Sequence, residues 1–185
     1  MIDEILLEAE ENMDNAVSVA KENMASIRTG RASSAMFSHL TVDYYGAPTP
    51  LQQLASISIP EPRTVVIGPY DMTAKKDIET ALRNSDLGVN PSDDGQVIRI
   101  NLPALTEERR RDYVKLAKQR AEDSRVTVRN MRRKSKDAID AAVKNGDVGE
   151  DEGGRAEKEL DVLTKKHVDA IDAMLAHKES ELLEV

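Results

Sequence analysis

The sequence predicts an α+β protein, an elongated antiparallel three-helix bundle with a small, mostly β, α/β domain inserted between its first and second helices. Three observations predict it. Both ends of the chain repeat apolar or small residues in steps of three and four, the period of a helix. The middle instead alternates short β-branched runs with glycines and prolines. Only 39% of the 185 residues are apolar, with one Phe and no Trp. That composition suits long helices that each bury one stripe better than a wide core.

The first helix is expected from about Asp3 to Thr29, on Ile2, Leu6, Ala9, Met13, Ala16, Ala20, Met24 and Ile27. Gly30 follows and suits a left-handed C-terminal cap. Strands are expected at Leu40–Tyr45, ending at Gly46; at Ala55–Ile59, stopped by Pro60; at Thr64–Ile67; and at Gln96–Asn101. One short helix from Thr73 to Asn84 places Ile78 and Leu82 on one face. Tyr44 and Tyr45 are expected to pack within this small domain rather than stack on bases.

Helical pattern resumes at Thr106, whose hydroxyl can cap, with Glu107 and Glu108 near the positive helix end. Val114, Ala117, Ala121, Ser124, Val128, Met131, Ser135, Ala138 and Ala142 form a seam of mostly small residues that a neighbouring helix can approach closely. Asn145-Gly146 ends this segment, which as one helix would reach about 60 Å. An acidic, Gly-rich turn from Gly149 to Gly154 then leads into a third helix ending near Leu183. Leu160, Leu163, His167, Ile171 and Met174 are its apolar side. Residues 1–30 with 105–185 would form the bundle, and residues 31–104 the inserted domain. The two crossings, at Gly30-Arg31 and Pro103-Ala104-Leu105, lack extra linker and make a hinge.

Charge is unevenly spread. The chain carries −8 overall, but Leu105 to Lys136 holds twelve basic and five acidic residues, a local +7 that leaves −15 elsewhere. A basic block in an acidic chain points to a nucleic-acid face. At 100° per residue, Arg111, Lys118, Arg125, Arg129, Arg132 and Lys136 share an arc of about 60°, with Arg133 just outside and the small-residue seam about 100° away. Such a helix can be an ordinary solvated surface laced with ion pairs along itself. Against that, Arg125, Arg129, Arg132, Arg133, Lys134 and Lys136 have no acid among them in sequence, and their mutual repulsion needs a reason. Guanidinium groups bind phosphate with paired hydrogen bonds and stack on bases. Arg28 and Arg31, beside the first crossing, are weaker candidates.

Other chemistry finds little support. Without cysteine there is no disulfide framework or thiolate chemistry. His39, His167 and His177 lack metal-ligand spacing, so His167 is expected to be structural. No carboxylate pair, nucleophile elbow or phosphate-binding glycine loop stands out. No catalytic residue, metal or cofactor is therefore expected. The acidic N-terminus is unlike a secretory signal, and no apolar run nears the roughly 20 residues that span a bilayer. A soluble, cytoplasmic chain is expected, with no membrane partner.

Along essentially its whole length the chain resembles the ribosome recycling factor family. The stretches that carry the likeness are Ile27-Arg-Thr-Gly-Arg-Ala-Ser33, Tyr44-Tyr-Gly-Ala-Pro-Thr-Pro-Leu51, Leu54-Ala-Ser56, Ser85-Asp-Leu-Gly-Val-Asn-Pro91, Leu105-Thr-Glu-Glu-Arg-Arg110 and Val128-Arg-Asn-Met-Arg-Arg133. The resemblance implies an L-shaped, two-domain molecule whose bundle binds large-subunit ribosomal RNA, with Arg110, Arg129 and Arg132 at matching family positions. Together with the stripe, this gives Arg110, Arg125, Arg129, Arg132 and Arg133 as candidate RNA contacts. It also implies cooperation with elongation factor G, whose GTP hydrolysis supplies the work of splitting the post-termination ribosome; the chain, a monomer, would act as a wedge. Two departures stand out. Pro103-Ala104 replaces the frequent Pro-Pro, which is expected to loosen that crossing. Gly153-Gly154 replaces polar helix formers, so the third helix is expected to start late or fray. A coiled-coil adaptor for protein partners is the rival reading, and an enzyme the more distant one.

Overall fold

The computed structural model describes residues Met1–Glu184. They divide into two units: Met1–Met24 with Lys115–Glu179, and Ala25–Val114 with residues 180–184.

In the first unit, α1 (Ile2–Ala25) buries Ile2, Ala9, Met13, Ala16, Ala20 and Met24, one stripe at helical spacing. α4 (Glu107–Lys144) enters this unit at Lys115 and α5 (Glu150–Leu183) leaves it after Glu179. Lys134 lies near Glu8, and the Arg120 guanidinium donates to the Asn23 carbonyl at 2.5 Å. α4 therefore runs antiparallel to α1. The pairs Arg125–Asp172, Arg132–Asp161 and Lys136–Glu157 make α5 antiparallel to α4, so α5 runs in the same direction as α1, which it meets where His167 lies 2.6 Å from Asp14. Ala117, Ala121, Val128, Ile139, Leu160 and Ile171 are buried among them.

Most of the small-residue seam is inside, but its last turns shift: Ala138 is exposed and Ile139 is buried. A seven-residue repeat drifts about 20° per heptad on a straight helix. After three heptads Ile139 has rotated into the position that Ala138 would have held.

Thr106 caps α4 as expected, accepting from the Arg109 amide at 3.1 Å. Gly146 ends the helical run with φ +80°, and the Asp147 amide returns to the Ala142 carbonyl at 3.0 Å. The expected Gly149–Gly154 turn is mostly helix. α5 starts at Glu150, and Gly153 and Gly154 lie inside it. The reason is packing: a Cβ on Gly153 would stand 2.5 Å from Val143 Cγ2, so the missing side chain is what lets α4 and α5 approach there. Nothing lies within 4 Å of the same position on Gly154.

The first helix also ends differently. It stops at Ala25, and Gly30 is not left-handed. Ile27 and Arg28 are both buried beyond the helix end, so tertiary packing sets the chain path there.

The second unit holds β1 (Thr41–Tyr44), β2 (Ala47–Pro50), α2 (Leu51–Leu54), β3 (Ala55–Glu61), β4 (Thr64–Pro69), α3 (Lys75–Arg83), β5 (Pro91–Asp94) and β6 (Val97–Asn101). β1 and β2 pair antiparallel through a two-residue turn with Tyr45 at φ 50° and Gly46 at φ 80°, the doubly left-handed turn that matches strand twist. The other four form an antiparallel sheet in the order β3-β4-β6-β5. Phe37, Val42, Leu51, Val65, Ile67, Ile78, Leu82, Ile98 and Ile100 form its core. β3 runs on through Pro60 to Glu61, with its register slipping between Ser58 and Glu61, because an edge strand can bulge around a residue that donates no hydrogen bond.

Candidate nucleic-acid interface

The cations of α4 were grouped by their position on one helix. The acids of α5 divide them. Arg125 donates from Nε to Asp172 at 2.7 Å and from Nη1 to Glu122 at 2.9 Å. Partial burial works against its charge, but these two carboxylates outweigh that and raise its pKa. Arg132 reaches Asp161 at 2.7 Å. Lys136 donates to Asp140 at 2.8 Å and lies 3.9 Å from Glu157. The Asp140 hydrogen bond, followed by the charges of Asp140 and Glu157, raises the Lys136 pKa. The repulsion evident in the α4 sequence is thus relieved largely by carboxylates 21 to 47 residues further along the chain.

Arg129 and Arg133 are placed otherwise. The Arg129 side chain is 55% exposed and only 3.5 Å from Glu122 at its nearest. Arg133 is exposed and makes no ion pair among the described residues. These two guanidiniums project donors to solvent. Lys118 is exposed on the same arc, and Arg111 pairs with Glu107 at 2.6 Å on the helix surface. Arg120, which falls outside the arc, is drawn inward; burial lowers its pKa.

Arg110 belongs to the second unit, half-buried, and its Nε lacks a partner among the described residues. The five residues Gly30, Arg31, Pro103, Ala104 and Leu105 belong to the same unit. The buried Arg28 guanidinium donates to the Pro103 carbonyl, joining two chain passages 75 residues apart. Burial lowers the Arg28 pKa, Tyr113 opposes that shift, and the nearby charges of Arg109 and Arg63 add to it. Sequence reasoning gave Arg28 little weight, since burial of an arginine leaves no mark in periodicity.

Three further residues differ from expectation or match it. Tyr45 is 79% exposed at its left-handed turn position rather than packed inside. Tyr44 does pack at the edge of the core, donating to Asp71 at 2.8 Å. His167 is buried between the Leu163 carbonyl and Asp14, each at 2.6 Å, a structural position joining α5 to α1. No group of three or more His, Cys, Asp or Glu among the described residues could hold a metal ion. No helix among them is long and apolar enough to cross a membrane.

Comparison with known proteins agrees with this architecture. A family model described as Ribosome recycling factor matches residues 20–183. The ribosome-recycling factor of Beutenbergia cavernae is 66% identical, and that of Streptomyces coelicolor 62% identical, each over all 185 residues and the whole of both chains. A solution structure of the ribosome recycling factor superposes with a TM-score of 0.77 at 42% identity, covering 100% of this chain and 98% of that one. A second structure, of models for the T. thermophilus ribosome recycling factor and the E. coli elongation factor G bound to the E. coli post-termination complex, matches at a TM-score of 0.69, with 42% identity and full coverage of both chains. With end-to-end matches at this level, the chain belongs to the ribosome recycling factor family.

Proposed function

We propose that this chain acts in ribosome recycling after translation termination, binding the large ribosomal subunit and, with elongation factor G, splitting the post-termination ribosome. The observation that carries the reading is the unbroken 66% identity to a ribosome-recycling factor over the entire length. The surface of α4 supports how the anchor works. Arg129 and Arg133 offer outward guanidiniums to backbone phosphates. Arg125 and Arg132 reach RNA by exchanging Asp172 and Asp161 for phosphate, and Arg110, whose Nε is buried, would contribute only through its terminal guanidinium nitrogens.

In this reading, residues 1–30 with 105–185 anchor the molecule, and residues 31–104 form the part that the translocase pushes. The pivot lies at Gly30-Arg31 and Pro103-Ala104-Leu105. The bond from Arg28 to the Pro103 carbonyl supports a pivot whose two passages move together. The chain performs no chemistry of its own; GTP hydrolysis on the partner supplies the work. It works as a monomer in the cytoplasm, where ribosomes turn over.

Light scattering of purified post-termination ribosomes tests the reading. Subunit splitting should require this chain, elongation factor G and GTP together. Splitting at the same rate without the chain, or none with all three present, would overturn it.

A further inference from the structure

On the first unit, α1 and α5 enclose an open groove of about 550 Å³. Its floor is Leu6 and Leu7 from α1 with Val162 and Leu163 from α5. Leu7 is 57% exposed and Val162 69% exposed, so two branched apolar side chains from different helices stand side by side in water. Isolated exposed leucines are ordinary, but a groove with an apolar floor built by two helices is the geometry that receives a third.

The rim selects the charge of that occupant. Asp3, Glu10 and Glu159 border the groove against one lysine, Lys158. None of the three carboxylates takes part in an ion pair among the described residues, whereas Asp161, Asp172 and Glu157, on the other flank of α5, are all engaged by α4. α1 as a whole carries seven acidic residues and one lysine. The bundle therefore has a second face with the opposite character to the arginine stripe. It repels phosphate, which argues against RNA. A symmetric contact with a second copy would set the same acidic rims against each other.

We propose that the α1–α5 groove is a docking site for a basic amphipathic helix of a protein partner, its apolar side chains seated on Leu6, Leu7, Val162 and Leu163 and its lysines or arginines on Asp3, Glu10 and Glu159. The site stands on its own geometry and does not depend on how the arginine stripe is used.

The test uses the full chain and a fluorescent 14-residue helix of leucine and lysine with all leucines on one face. The control peptide has the same composition with its leucines spread around the helix. The amphipathic peptide should bind at least tenfold more tightly than the control. Leu7→Ser with Val162→Ser should remove that advantage; both residues are exposed, and circular dichroism checks that the helices persist. Glu10→Lys should weaken binding several-fold at low salt, while Asp86→Lys, an equal charge change on the second unit, should leave it unchanged. Equal binding of the two peptides, equal losses in Glu10→Lys and Asp86→Lys, or indifference to the double serine variant would each overturn the proposal. So would self-association of the chain, or binding of a short RNA, that the double serine variant abolishes, since the occupant would then be another copy or a nucleic acid.

Discussion

Arg132 and Asp161 meet across the α4–α5 boundary, with two guanidinium nitrogens each 2.7 Å from one carboxylate oxygen. That carboxylate competes with any phosphate for the same donors. The pair is partly exposed, and such pairs contribute about 0–1 kcal/mol. Asp161→Asn should therefore cost stability no more than that, while tightening large-subunit binding by up to several-fold. A titration in which Asp161→Asn weakens binding would show that Asp161 holds Arg132 in place for RNA rather than competing with it.

Arg129 and Arg133 need not leave any strong partner before binding. Arg133→Ala should lower large-subunit affinity at least several-fold, and about tenfold or more if the full ~1.5–3 kcal/mol of a charge-assisted hydrogen bond is lost. Its loss should also reduce the slope of log affinity against log salt by about one at most. Arg129→Ala should behave similarly, and Arg132→Ala should cost less than Arg133→Ala. Titrations at three or more salt concentrations give both quantities; equal slopes in all variants would exclude these arginines as phosphate contacts.

The two adjacent glycines of α5 should respond in opposite ways. Alanine at position 154 meets open space and gains roughly 1 kcal/mol of helix propensity. Alanine at position 153 gains the same propensity but drives a methyl into Val143 Cγ2. Overpacking of that kind costs about 1–3 kcal/mol, so Gly153→Ala should be neutral to destabilising and Gly154→Ala stabilising. Adding Val143→Ala should recover part of the Gly153→Ala loss. Urea denaturation of wild type and these three variants decides this, and a Gly153→Ala protein as stabilised as Gly154→Ala would show that the helices spread freely.

Glycine 153 also marks what could and could not be seen in the sequence. Read locally, Gly149 to Gly154 is turn-like; only the proximity of Val143 on another helix explains Gly153 within a helix, and nothing in the structure explains Gly154. Two edge strands were hidden in the same way. β2 contains Pro48 and Pro50 and β5 starts at Pro91, and proline reads as a break although edge strands tolerate it. The long helices and the paired core strands were legible because their burial follows a fixed period. The arginine arc was legible as a pattern on α4, but its division into engaged and outward cations depends on Asp161, Glu157 and Asp172, which one helix cannot reveal.

Acid should weaken the second unit. The Asp71 carboxyl lies below its ordinary range because the Thr73 hydroxyl and amide donate to it, with Tyr44 adding a third bond. Asp93 is lowered chiefly by the Lys75 hydrogen bond, against a smaller opposing effect of burial and with help from the Gly95 amide. Groups with lowered folded pKa values stabilise above the unfolded pKa, and that contribution fades as pH falls through the folded one, here below about pH 4. Denaturation midpoints should drop over that interval, and Asp71→Asn and Asp93→Asn should each flatten the drop. Identical profiles in wild type and both variants would contradict the assignment.

Arg28 should matter to stability far more than its neighbour in sequence. Arg28→Ala removes a charge-assisted hydrogen bond to the Pro103 carbonyl together with the packing of a buried side chain, and should cost roughly 1–3 kcal/mol. Arg31 is exposed, and Arg31→Ala should fall within about 0.5 kcal/mol of wild type. A loss in Arg28→Ala as small as that in Arg31→Ala would mean that the Arg28 bond contributes little.

The direction of the helices sets an order of assembly. α4 and α5 are joined by a turn of a few residues, so their pairing closes a short loop. The bond between Asp14 and His167 spans 153 residues, which places α1 among the most distant contacts in the chain. Long-range contacts are slow to form because the intervening chain must be ordered or looped out first. During synthesis α1 leaves the ribosome before α4 and α5, and its contact through Asp14 cannot form until His167 of α5 has followed. α1 thus keeps part of its apolar stripe uncovered until both α4 and α5 have been made. Its seven carboxylates give that waiting segment a net charge that discourages association between nascent chains.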